Sequence, residues 1–204
     1  MEEKKPKRGV ILILSDSMLK PRYGMNVQEL VNERGKNVLV NAVGGVTAER
    51  AMTQGVERTW ELSDFMRMNG VTGSDVKGVI VMVGTNDFDN GLKRGEAVAV
   101  TAERIKRCLL GIERDLERIL GRKVGVRWVK IMGRTDVGQN DIKRRQINDY
   151  VGAALRMEGW MTRGCEQDYG GYVGELLDRW GLHPNSTGLD VLGWTVVRLI
   201  EGRD

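Results

Sequence analysis

Val10-Ile11-Leu12-Ile13-Leu14-Ser15-Asp16-Ser17 is the stretch on which the reading of the chain turns. Five apolar residues, three of them β-branched, run without alternation and then stop at three polar ones. A run with no polar face fits a strand covered on both sides. Three further runs have the same character: Asn37 to Val43, Gly78 to Val83 and Val124 to Met132. Helical patterns lie between them. Val27 to Arg34 is short, and Ala48 to Met68 holds one or two helices. Glu96 to Leu120 places Ile105, Leu109, Ile112, Leu116 and Leu120 on one face. Ile142 to Met157 and Leu189 to Ile200 follow. Strand and helix alternating in this way predict a three-layer α/β/α domain, a flavodoxin-like parallel sheet with helices on both faces.

Composition sets the bounds around that reading. The chain has 204 residues, 41% hydrophobic and 29% charged, the profile of a folded globular chain rather than a disordered one. At this size about 70% of the unfolded surface can be buried, so a core forms without staples. Two cysteines, Cys108 and Cys165, make no disulfide framework, and Cys108 falls on a helical pattern as a small core residue. No apolar run approaches membrane-spanning length. Residues 1–8 read as a charged mobile leader without a trustworthy signal-peptide core, and residues 9–204 as one domain, expected to be intracellular. The net charge of +4 is uneven: residues 101–150 hold thirteen Lys/Arg against seven Asp/Glu. That excess reads first as a solvated helix face, and second as a surface for an anionic partner. Aromatic residues do not interleave with the basic ones, so a base-stacking surface is poorly supported.

In an open parallel sheet the functional crevice lies beyond the carboxyl ends of the strands. Four stretches should meet there: Ser15-Asp16-Ser17, Gly44-Gly45, Gly84-Thr85-Asn86-Asp87 and Gly181-Leu182-His183-Pro184-Asn185. Each alone reads as a turn or a helix boundary. Together they supply a serine hydroxyl, an imidazole, an amide and bare glycine backbone. A serine needs a neighbouring base before it is nucleophilic, and His183 is the only histidine. The oxyanion that forms then needs aimed donors.

These four stretches, in this order across residues 11–188, resemble the sequence blocks of the SGNH (GDSL-type) hydrolases. Leu12-Ile13-Leu14-Ser15-Asp16-Ser17-Met18-Leu19 resembles the first block, with Ser15 in place of its usual glycine. Asn41-Ala42-Val43-Gly44-Gly45-Val46-Thr47 resembles the second, Val83-Gly84-Thr85-Asn86-Asp87 the third, and Gly181-Leu182-His183-Pro184-Asn185 the last. The resemblance implies Ser17 as nucleophile and His183 as base. It implies an oxyanion hole of Ser17, Asn86 and Gly45, with Gly44 as the alternative glycine. The family places an aspartate three residues before the histidine, where this chain has Trp180. The nearest acid upstream is Asp178, so Asp178 is the candidate third member, and Trp180 is expected to pack beside the site.

The resulting expectation is an ester hydrolase acting on a small ester or acylated substrate. The alternative is a catalytically silent module of the same fold, used for interaction. Lys143, Arg144, Arg145, Arg104, Lys106 and Arg107 would then face an anionic partner, nucleic acid among them, as beside nucleic-acid-binding segments in retroelement proteins. A third reading is a flavodoxin-like nucleotide or phosphate binder, which leaves Asn86 and His183 unexplained. No Walker lysine motif and no GxGxxG occur, and one histidine with two distant cysteines offers no metal cluster. The reading therefore calls for no cofactor and no metal. Substrate identity and oligomeric state stay open at this level.

Overall fold

The computed structural model describes residues 9–202, so the leader at residues 1–8 lies outside the described residues. Five parallel strands form one sheet: β1 (Val10–Ser15), β2 (Val38–Ala42), β3 (Val76–Met82), β4 (Gly125–Val129) and β5 (Met161–Arg163), in the order β2-β1-β3-β4-β5. The uniform apolar character of β1 has a direct structural cause. Val10, Leu12 and Leu14 point into one core, and Ile11 and Ile13 into the other. Along β3, Val79 and Val81 join the first core and Ile80 and Met82 the second.

Helices cover both faces. On the first lie α2 (Ala48–Gln54), α3 (Val56–Trp60), α4 (Leu62–Met68), α6 (Val98–Leu120) and α7 (Asp141–Met157); on the second lie α1 (Val27–Glu33) and α8 (Ser186–Glu201). The apolar stripe of α6 is buried from Ile105 through Leu120, with Cys108 in it. Among the described residues, no helix is long and apolar enough to cross a membrane.

The structure corrects the local reading in three places. The 48–68 segment forms three helices rather than one or two, because Gly55 (φ +87°) and Glu61 (φ +47°) each break the helical path. The Gly84–Asp87 stretch is the start of a helix rather than a loop. Gly84 (φ +124°) is the N-cap of α5 (Thr85–Lys93), so Asn86 sits in its first turn. Glycine is required at 84, since a Cβ there would stand 3.0 Å from the Ile131 side chain. Finally, β5 has no sequence signal, being three residues long at the sheet edge.

Candidate active site

With β1 between β2 and β3, the chain leaves the ends of all three strands on one rim. Buried indoles finish the sheet there. Trp60 Nε1 donates to the Ser15 carbonyl, which also accepts from the Val43 N–H, and Trp128 Nε1 donates to the Val83 carbonyl, each indole bond at 3.1 Å; buried carbonyls are satisfied in this way. Neither tryptophan stands out in sequence, where an indole at helical or strand spacing reads simply as core.

Past β1 the chain makes one 3₁₀ turn, Ser17–Leu19, capped by Asp16, whose Oδ1 accepts from the Met18 N–H at 3.0 Å. The Asp16 N–H continues the strand pairing to the Met82 carbonyl. This double anchor fixes the backbone on either side of Ser17. Asp16 is fully buried, and burial pushes its carboxyl up to about 7, against the lowering effects of the Met18 N–H and the Thr85 hydroxyl.

The loops after β2 and β3 are joined to one another. Asn86 Nδ2 donates to the Val46 carbonyl at 2.8 Å, and the Asp87 carboxylate accepts from the N–H groups of Ala48 and Glu49 at 2.7 and 3.3 Å. Asp87 thus caps the start of α2 from outside it, although burial raises its pKa. Gly45, in the left-handed region at φ +72°, turns the exposed loop just before this anchor. Asn86, only partly buried, keeps its second amide hydrogen outside the bond to Val46.

His183 arrives from the far end of the sequence. Its Nε2 lies 3.2 Å from Ser17 Oγ. Its Nδ1 lies 3.7 Å from Asp178 Oδ2, beyond the reach of a hydrogen bond. The loop that carries them is a closed hairpin. Leu177 and Pro184 form a bridge, the Asp178 N–H donates to the His183 carbonyl at 2.7 Å, and Asp178 Oδ1 accepts from the Trp180 and Leu182 N–H groups. Burial lowers the His183 pKa, Arg22 nearby lowers it further, and Asp178 pulls it back up. A neutral imidazole can accept a proton.

Ser17, Asn86 and Gly45 thus stand at one end of the sheet with His183 over Ser17. Trp180 does not behave as expected. It is 68% exposed, with the Arg179 guanidinium 4.6 Å over its ring. Because Asp178 holds the Trp180 N–H and Gly181 reverses the chain at φ +70°, position 180 turns outward and position 178 faces the imidazole. The basic surface is corrected as well. Arg144 is completely buried, pairing with Asp141 and Glu166 and donating to the Ile131 carbonyl. Arg104 pairs with Glu49 and Glu96, Lys106 with Glu103, and Arg145 with Asp141. Only Lys143 and Arg107 of that set lie exposed without an ion pair to a described residue. A cleft of about 720 Å³, lined in part by Arg134, Thr135, Tyr169 and Tyr172, borders the 178–183 hairpin through Thr135 and includes neither Ser17 nor His183.

No protein-family model matches the chain, and no curated protein does. Solved structures do resemble it. A lipase/acylhydrolase from Enterococcus faecalis shares 19% identity over 95% of each chain, with a TM-score of 0.63. The lipase Lip_vut3 from a goat rumen metagenome shares 12% identity over 93% of this chain and 96% of its own, with a TM-score of 0.70. A member of the lipolytic protein G-D-S-L family from Veillonella parvula shares 14% over 94% and 98%, with a TM-score of 0.64. At such identities the likeness is one of architecture, and the architecture of this chain is the three-layer α/β/α fold of the SGNH (GDSL-type) hydrolases.

Proposed function

We propose that residues 9–204 act as an ester hydrolase in which Ser17 is the nucleophile and His183 the base. The observation that carries this is the 3.2 Å approach of Ser17 Oγ to His183 Nε2, within the reach that proton transfer requires. His183 takes the Ser17 proton as the oxygen attacks the ester carbonyl. The tetrahedral oxyanion is met by the backbone N–H groups of Ser17 and Gly45 and by the Asn86 amide. His183 returns the proton to the departing alcohol, leaving acyl-Ser17. Water, deprotonated by the same imidazole, then releases the acid. Asp178 orients the ring and stabilises the imidazolium that forms in both steps.

Trp180, standing where an acid belongs, favours a silent module; Asp178 Oδ2, 3.7 Å from His183 Nδ1, supports the hydrolase reading instead. A fluorophosphonate probe tests the proposal, because it reacts with an activated serine and not with an ordinary one. Wild type should be labelled on one serine. Ser17→Ala should abolish the label and His183→Ala should slow it at least a hundredfold. Wild type labelled no faster than Ser17→Ala would refute the assignment.

A further inference from the structure

Two cations on the rim of this site lack counter-ions among the described residues. Arg22 is half-buried, and its Nε is wholly buried without a hydrogen-bond partner among the described residues. No described carboxylate pairs with it, nor with Lys20. The neighbouring arginine, Arg134, differs. It also bears on His183, but it is already paired with Asp89 and Asp136. Lys20 leans on the loop after β2, its Nζ 3.0 Å from where a Cβ on Gly44 would stand. Arg22 follows two residues later, after the 3₁₀ turn that carries Ser17, and is close enough to the His183 imidazole to disfavour its protonation. One cation thus borders the glycine loop after β2 and the other the imidazole.

Arg22 is also held in place. It opens a two-residue turn, with Arg22 and Met25 exchanging N–H···O bonds of 3.1 and 2.8 Å. Tyr23 (φ +53°) and Gly24 (φ +71°) fill its centre. A tyrosine in the left-handed region is strained and persists only where its surroundings impose that conformation. The strain is spent where it fixes the backbone of a guanidinium that finds no partner among the described residues. Half-burying a guanidinium without a partner is unfavourable, and a fork of N–H donors is suited to the two oxygens of a carboxylate or a phosphate.

We infer that the ester taken by this site carries an anionic group, a carboxylate or phosphate close to the scissile bond, and that Arg22, assisted by Lys20, selects it. The inference rests on the hydrolase reading above and names its substrate class. Arg22 acts as a specificity-determining residue and takes no part in bond making. The charge is recognised whether it belongs to the acyl part or to the alcohol part.

Probes matched except for a charge masked as its methyl ester test this, each rate being divided by that of the same probe's uncatalysed hydrolysis. For the alcohol part they are 4-acetoxybenzoate and its methyl ester. For the acyl part they are mono-4-nitrophenyl glutarate and its methyl ester. In wild type at least one pair should show a tenfold or greater preference in kcat/KM for the anion. That ratio should fall to within twofold of unity in Arg22→Gln and fall partway in Lys20→Gln. It should be unchanged in Arg107→Gln, on the exposed face of α6. Which pair responds tells where the anion sits. If neither pair discriminates, if the ratio survives Arg22→Gln, or if Arg22→Gln slows both members equally, the inference is overturned. Equal slowing would mean that the guanidinium acts only on His183. If wild type turns over no probe and Ser17 is not labelled, the hydrolase reading fails instead. The charge preference is then read from binding to Ser17→Ala: 4-acetoxybenzoate should raise its Tm more than the methyl ester does, and Arg22→Gln should remove the difference. Equal shifts would overturn the inference independently.

Discussion

Asp178 and Trp180 stand two positions apart and face opposite ways, one toward the imidazole and the other into solvent. Their substitutions should therefore have unlike effects. Asp178→Asn should lower kcat on a short activated ester by up to about 10⁴, the loss met when the acid of such a triad is neutralised. Trp180→Asp should leave kcat within about twofold, since an exposed carboxylate adds little. A steady-state comparison decides the matter, and a gain of tenfold or more in Trp180→Asp would show that position 180 reaches His183. Beneath Ser17, Asp16 makes a separate prediction about stability. Its folded pKa of about 7 stands above the unfolded value. The folded chain thus holds that proton more tightly. The contribution to stability is complete below about pH 4 and is lost as pH rises toward 7, by up to about 4 kcal/mol. Asp16→Asn keeps an oxygen for the Met18 N–H and removes the titration. Its Tm should exceed that of wild type at pH 8 and match it at pH 4. A difference that does not change with pH would show that Asp16 stays charged throughout.

At the scale of elements, the hairpin from Leu177 to Pro184 decides whether there is an acid at all. Its outer edge is held by the 134–136 loop, with the Thr135 N–H donating to the Gly181 carbonyl at 3.1 Å. A Cβ on Gly181 would lie 2.1 Å from Thr135 Oγ1 and 2.9 Å from the Asp136 nitrogen, at a φ that side chains rarely adopt. Gly181→Ala should therefore displace Asp178 from His183, lowering kcat at least tenfold while the far-UV circular dichroism stays that of wild type. Full activity would show that the loop yields without moving the acid. The same hairpin marks the limit of what the sequence discloses. The strands were legible because burial on both faces leaves long apolar runs, as in β1 and β3. That Ser17, Gly45 and Asn86, just past β1, β2 and β3, lie at one rim was legible because parallel strands end on the same side. The facing of Asp178 was not, because it depends on a bridge between Leu177 and Pro184 and on the left-handed turn at Gly181. The helix at Thr85 was hidden for a related reason: Gly84-Thr85-Asn86-Asp87 is a composition that loops and helix starts share.

At the scale of the whole molecule, the basic middle of the sequence proves to be partly internal. Arg144 passes through the interior, joining α7 through Asp141, the end of β4 through the Ile131 carbonyl, and the turn after β5 through Glu166. No periodicity distinguishes it from Lys143 and Arg145, which flank it in solvent. Arg144→Leu would leave Glu166 without its ion-pair partner, while Asp141 keeps Arg145 and the Ile131 carbonyl keeps the Asn148 amide, at a cost of about 3 kcal/mol. For a chain of this length that is a fall in Tm of roughly 10 °C, measurable by calorimetry. A change under about 2 °C would show that Glu166 finds water instead. The sheet order has a further consequence, in time rather than space. Ser17 is followed by β2, by the β3 that completes the flanks of β1, and by two more strands before His183 is reached, 166 residues later. At ordinary rates of synthesis, that separation lasts on the order of ten seconds. Throughout it the growing chain owns its serine and lacks its imidazole, so under the proposed mechanism the half-made protein is inert toward esters until translation has carried it past the last strand.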